Sequence, residues 1–206
     1  MKMFMISVND LIDIGCNKDN VKKHYDSIIE TFNKYDINTP KRQAAFLANV
    51  IHETAMLKTF EENLNYSAKG LLSVFPKRVN KALAEKLEHK PEDIANHIYG
   101  GRYGNNSSGD GWRYRGRGGF QYTFKDNYNM ISKALKIDFV KNPDLLKEPP
   151  YAILSAGFFW SSHKLNQLAD NEDIRGITKV INGGMHGFDD RLKYYNKLLQ
   201  LYENKH

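Results

Sequence analysis

Residues 47–66 read LANVIHETAMLKTFEENLNY, and this stretch sets a carboxylate among side chains bound for a core. Phe46, Val50, Glu53 and Leu57 are separated by four, three and four positions, a spacing that places them on one helical face. An unpaired charge on such a face is expensive to bury, and the usual response is a raised pKa. Glu53 is therefore either a structural acid that finds a partner or an acid kept protonated for chemistry. The helix that carries it has a strong start signal in Thr39-Pro40, an N-cap followed by proline at the first helical position.

Working outward, Glu62 lies beyond Glu53 by about 2.5 helical turns, so one continuous helix would point the two to opposite sides. The Asn63–Ser67 region breaks helical character, and a chain that turns near residue 58 brings Glu62 across a cleft from Glu53. An acid in an apolar setting opposite an acid in a wetter one suits hydrolysis of a glycosidic bond. One donates a proton to the leaving oxygen while the other activates water. Acid pairs are also common on solvated helices, and Glu61 reads as that ordinary surface charge.

Most of the remaining chain has helical period: residues 8–15, 24–35, 68–75 after a Ser67 cap and before Pro76, 80–87, 91–99, 126–136, 149–164, 173–181 and 189–204. The exception is GGRYGNNSSGDGWRYRGRGG at 100–119, which holds eight of the 15 glycines. Such a segment reads as a loop or short hairpin, not a helix. Tyr103, Trp112, Tyr114, Phe120 and Tyr122 surround it, with Arg102, Arg113, Arg115 and Arg117. Aromatic faces and arginines on a glycine scaffold suit sugar rings or nucleotides; a small hairpin packing its aromatics on helices fits equally well.

The 206 residues fit one domain, 41% hydrophobic and 26% charged, with a net charge of +6 that favours anionic partners. The basic residues are scattered among acids without a like-charge block, which argues against a nucleic-acid partner. Cys16 is the single cysteine, so no intrachain disulfide is expected; its setting reads as a surface helix with a packed or inert thiol. The run at the N-terminus is interrupted by Ser7, Asn9 and Asp10, so no signal peptide is expected, and no stretch is long enough to span a bilayer. The expectation is a chain made in the cytoplasm, without membrane insertion, monomeric, and acting on a cell wall after release.

His52-Glu53 opens an H-E-x-x-H zinc motif, but Met56 stands where the second histidine is required. No P-loop, dinucleotide fingerprint or G-x-S-x-G elbow is present, and neither a metal nor a cofactor is expected.

Three segments in order, AFLANVIHETAMLKTFEENLNYSAKGLLSVFPKR, GDGWRYRGRGGFQYTFKDNY and VINGGMHGFDDR, resemble glycoside hydrolase family 19, in its chitinase-like endolysin branch of phages and bacteria. The resemblance spans roughly residues 40–195. It implies a mainly α, lysozyme-like two-lobed fold with a small β-hairpin element and a substrate cleft. It also implies one catalytic domain over 1–206, with an N-terminal helical segment at 1–38, a core at 39–206 and no separate wall-binding domain. The implied chemistry is inverting hydrolysis of β-1,4 bonds between N-acetylated amino sugars without a cofactor. Glu53 in HET resembles the general acid, and Glu62 in ENLNYSA the general base. Thr123 in FQYT resembles the hydroxyl residue that holds the attacking water. Gln121, Asn127 and Asn182 match amide side chains that bind sugar, Tyr66 falls in the same binding set, and Arg191 in DDR matches a cleft arginine acting on a nearby carboxylate.

The branch commonly reads R-G-R-G-[LI]-I-Q-L-T-G-R where this chain has RGRGGFQYTFKD, so Gly119, Tyr122 and Phe124 are departures. They leave Gln121 and Thr123 in place, and small Gly119 is expected to make room beside a sugar subsite. The expected substrate is peptidoglycan. The alternatives are a chitinase acting on chitin oligomers, or a non-catalytic carbohydrate-binding or inhibitory descendant, against which the joint presence of Glu53, Glu62 and Thr123 speaks.

Overall fold

The computed structural model describes residues 6–205. The first five residues of the N-terminal segment, with their apolar run, lie outside the described residues. The elements are α1 (Val8–Asp13), α2 (Lys18–Lys34), α3 (Pro40–Glu53), α4 (Ala68–Val74), α5 (Lys81–Leu87), α6 (Pro91–Tyr99), α7 (Asp110–Arg113) and α8 (Lys125–Leu135). A 3-10 helix (Pro143–Lys147), α9 (Tyr151–Ser162), α10 (Leu165–Asp170), α11 (Ile174–Asn182) and α12 (Phe188–Glu203) follow. None of these helices is long and apolar enough to cross a membrane. Two compact units are formed, one from residues up to Phe60 with Gly118–Phe120 and Leu146 onward, the other from Glu61–Arg117 and Gln121–Leu145.

In the first unit α3 is the central helix. Thr39 caps it through its hydroxyl, which accepts from Arg42 N, with Pro40 in the first turn. Every residue from Gln43 to Ile51 is buried. The ring of Phe46 meets the edges of Phe32, Phe120 and Trp160 at centroid distances of 6.1, 5.8 and 5.4 Å, a geometry favourable beyond the area it buries. Gly157 lets α9 lie on α2, because a Cβ there would stand 2.4 Å from Thr31 Cγ2. Gly119 serves the same purpose: its Cβ would stand 3.0 Å from Ala156 Cβ. It is a close-packing glycine, which corrects the expectation that it makes room for a sugar.

Three further sequence expectations change in this unit. The stripe 46/50/53/57 is not one helix face, because α3 ends at Glu53 and Leu57 reaches the core after three consecutive left-handed residues, Ala55, Met56 and Leu57 (φ +48, +66 and +60). Thr54 holds that turn, its hydroxyl accepting from Leu57 N at 3.0 Å. Cys16 is buried in the connection after α1, not on a surface helix, and burial pushes its thiol up to about 12. The single helix expected at 149–164 ends at Ser162, and α10 begins after Lys164 takes a left-handed conformation (φ +55).

His24 on α2 is 2% exposed, its ring tilted 36° against that of Phe60 at 4.4 Å, and its Nδ1 has no hydrogen-bond partner. Burial pushes its pKa down to about 4, with the charge of Lys23 adding to the effect. An unfolded chain keeps the ordinary value near 6.5, so below that pH the unfolded state binds a proton the folded state refuses. The fold therefore loses about 3 kcal/mol progressively as pH falls from about 6.5 through about 4. The melting temperature of His24→Phe should fall less between pH 7 and pH 4 than that of the parent protein; equal falls would contradict this account.

The second unit packs α4 to α6 around Leu64, Leu71, Ala84, Ile94 and Ile98. Two expectations for 100–119 are corrected here. Asp110–Arg113 forms one helical turn, because Gly111 rests on α6 (its Cβ would stand 2.4 Å from Ala95 O) and Asn96 Oδ1 accepts from Trp112 N. The β-hairpin is reduced to two isolated antiparallel bridges, Glu61 with Arg117 and Arg117 with Tyr122, and no strand forms among the described residues. Gly116 and Gly118 flank Arg117 and supply no cross-strand side chains to extend a ladder.

Candidate active site

Glu53 closes α3, and its neighbours come from the start of α12. Arg191 Nη2 donates to Glu53 Oε1, and Arg191 Nη1 donates to Asn49 Oδ1 at 2.8 Å. Asn49 lies one turn before Glu53 and is itself fixed, its Nδ2 donating to Ala45 O. Arg191 is fully buried while the Glu53 side chain remains 22% exposed. The preceding residue pair is tied in parallel, His52 Nδ1 lying 2.7 Å from Asp190 Oδ2. Gly187 lies against the His52 ring, which a Cβ would meet at 2.3 Å. Consecutive residues of α12 thus grip consecutive residues of α3. Of the two readings left open for Glu53, the structure gives it a partner, Arg191. Asn182 is exposed at the last position of α11.

In the second unit the candidates converge on Gly116. A Cβ at Gly116 would stand 2.8 Å from Gln121 Oε1, 3.2 Å from Thr123 Oγ1 and 3.3 Å from Glu62 Cδ. Glu62 Oε1 accepts from Gly116 N at 2.6 Å and Oε2 accepts from Tyr99 Oη at 2.9 Å. Burial pushes the Glu62 carboxyl up, while the Gly116 N–H, the Tyr99 hydroxyl, Arg115 and Arg117 act the other way. Glu62 was expected to be the wetter of the two acids; in the structure it is half-buried, as Glu53 is. Burial also pushes the Tyr99 phenol up, with the charge of Glu62 adding to it, so Tyr99 stays a proton-bearing donor.

Glu61 is not ordinary surface charge either. Its carboxylate pairs with Arg115 Nη2 at 2.9 Å and with Arg117 Nε at 3.3 Å. Arg117 is buried and also donates to Arg113 O and Tyr128 Oη, which fixes the backbone that presents the Gly116 N–H. Asn127 turns its amide onto Thr123 O at 2.7 Å, steadying the residue it follows by one turn. Tyr66 stacks edge-on to Phe75 at 5.6 Å, and its phenol is raised by burial and then by the charge of Glu62. Sequence reading missed Gly116, Tyr99, Asn49 and Asp190. Asn49 stood four positions before Glu53 on one helix and Asp190 directly before Arg191, whereas nothing local marked Tyr99.

Among the described residues no group of three or more His, Cys, Asp or Glu side chains is placed to hold a metal ion. Each of the two groups offers carboxylates, amides and hydroxyls, the equipment of acid–base hydrolysis.

No family model matches the chain. A glycosyl hydrolase family 19 domain-containing protein of Haemophilus influenzae is 41% identical over 182 residues, covering 87% of this chain and 89% of that one. An endochitinase of Pisum sativum is 31% identical over 119 residues, 45% of this chain and 37% of the pea protein. Among solved structures, a bacterial family 19 chitinase superposes with a TM-score of 0.61 at 24% identity, covering 96% and 95% of the two chains. Chitinase C from Streptomyces griseus gives 0.59 at 21% identity over 95% of this chain and 75% of that one. The protein is a glycoside hydrolase with a mainly helical, lysozyme-like fold. Its chain belongs to glycoside hydrolase family 19.

Proposed function

We propose that the chain cleaves β-1,4 bonds of peptidoglycan glycan strands with inversion, Glu53 acting as general acid and Glu62 as general base. The observation that carries the reading is the convergence of Glu62, Thr123 and Gln121 on Gly116. A carboxylate with one donor on each oxygen still has lone pairs to accept from a water. Thr123 can hold that water and Gln121 can fix an acetamido group. At Glu53, Oε1 is taken by Arg191, which leaves Oε2 to carry and deliver the proton to the leaving oxygen. Asn182 and Asn127 are assigned to sugar hydroxyl and acetamido groups, and Tyr66 to a sugar face.

Peptidoglycan is preferred because the motif wording resembles the endolysin branch and because a net charge of +6 draws the protein to anionic envelopes. The second reading, a chitinase, is favoured by the likeness to the pea endochitinase. Digestion of purified peptidoglycan and of chitin oligomers, with mass spectrometry of the products, tests both. The expected result is a higher kcat/KM on peptidoglycan fragments than on chitin oligomers of equal length. The reverse order moves the protein to the chitinase reading, and no cleavage of either polymer refutes both.

A further inference from the structure

The five aromatic residues around the glycine-rich segment separate in the structure. Tyr114, Phe120 and Tyr122 are buried, and Trp112 is covered by the Arg115 guanidinium 3.7 Å from its ring centroid. Tyr103 is 64% exposed. Exposure alone says little, but this ring is held in place from several directions. Its backbone takes a left-handed conformation (φ +42), and its carbonyl accepts from Asp126 N at the start of α8. The next residue, Gly104, lies against the Asp126 carboxylate so closely that a Cβ would stand 2.3 Å from Oδ1. Asn105 then clamps the turn, its Oδ1 accepting from Lys125 N and its Nδ2 donating to Tyr99 O.

Phe124 supplies the second observation. Its backbone stands at φ +75, ψ 143, a region nearly reserved for glycine, and the motif it departs from has glycine at this position. A phenylalanine there is held at a cost in backbone strain. What the strain achieves is a ring edge-on to Tyr103 at 5.0 Å and to Tyr99 at 5.3 Å, with the Arg102 guanidinium 5.1 Å from its centroid. Tyr99 donates to Glu62. A packed series, Tyr103, Phe124, Tyr99, Glu62, therefore links an exposed, rigid aromatic face to the proposed base, all within the second unit.

We propose that Tyr103, backed by Phe124, is a stacking platform for one further N-acetylated amino-sugar ring, beyond those that a tetramer places across the cut linkage. The inference rests on the glycan-hydrolase reading above. A pyranose with equatorial substituents presents a face of C–H bonds, which packs on an aromatic face as an apolar surface does. Arg102 lies 5.6 Å from the Tyr103 centroid and offers N–H donors to an acetamido or hydroxyl oxygen beside that ring. A platform fixed before the substrate arrives binds without the cost of ordering a loop. The ring it receives is common to chitin and peptidoglycan.

The test compares the full-length parent, Tyr103→Ala and Tyr103→Phe on chitin tetramer and hexamer and on peptidoglycan fragments of matching length. Removing one aromatic stacking contact is expected to lower the hexamer-to-tetramer ratio of kcat/KM about fivefold. Tyr103→Phe should keep the parent ratio, since the ring and not the hydroxyl makes the contact. In a Glu53→Gln background, calorimetry should show hexamer binding weakened by about the same factor when Tyr103→Ala is added. A Tyr103→Ala protein whose ratio matches the parent, or which loses both lengths equally, overturns the platform while leaving the hydrolase reading intact. Loss on peptidoglycan alone also overturns it, because the contact would then be with lactyl or peptide groups. A parent protein inert on every substrate overturns the hydrolase reading itself.

Discussion

Replacing Glu53 by glutamine is expected to lower kcat about a thousandfold with little change in KM, the loss typical of removing a general acid. The amide preserves shape and keeps an oxygen for Arg191 Nη2, but it has no acidic proton to give the leaving oxygen. The substitution is not silent for the fold. Arg191 is fully buried and would face an amide in place of the acid it is paired with, so stability should fall by about 0.5–1.5 kcal/mol. Folding is to be checked by denaturant titration before turnover is compared. Near-parental turnover in folded Glu53→Gln would refute the acid assignment.

Glu62→Gln is expected to cost a similar factor, about 10²–10⁴ in kcat, with a smaller effect on folding. The Gly116 N–H needs an acceptor, which the amide oxygen provides, and the Tyr99 hydroxyl can rotate to accept from the new amide. The site keeps its shape and loses its base. Because burial pushes the Glu62 carboxyl up, the acid limb of kcat/KM should lie above the ordinary carboxylate range, activity rising as the base loses its proton. Tyr99 holds the charged form by donating to it, so Tyr99→Phe should move that limb to higher pH. A limb that stays in place would mean that another group titrates there.

The order of helices was legible because most carry plain local signals. Thr39-Pro40, Ser67 and the apolar spacing of Phe46 and Val50 each act within a few residues, and the structure uses all three. Glu53 and Glu62 also stood out, one by its apolar neighbours and the other by the break that follows it. Their environments did not, because those are set by distant residues. Arg191, which neutralises the isolation of Glu53, is 138 residues away, and Tyr99 reaches Glu62 from 37 residues away. The short helix at Asp110–Arg113 forms against local propensity, through Asn96 and the bare backbone at Gly111. Left-handed Ala55–Leu57 was invisible for the same reason: no glycine marks it, and α2 holds it through Asn20 Nδ2 donating to Leu57 O at 2.7 Å.

In the proposed mechanism two carboxylates act as acid and base on a water, with no covalent sugar on the protein. Proton NMR of a chitin oligomer or peptidoglycan fragment during the first minutes of hydrolysis reads this directly, before the anomers interconvert. Cleavage of a β-linkage by this route puts the α-anomer at the new reducing end. Accumulation of the β-anomer would show retention and would contradict the roles given to Glu53 and Glu62.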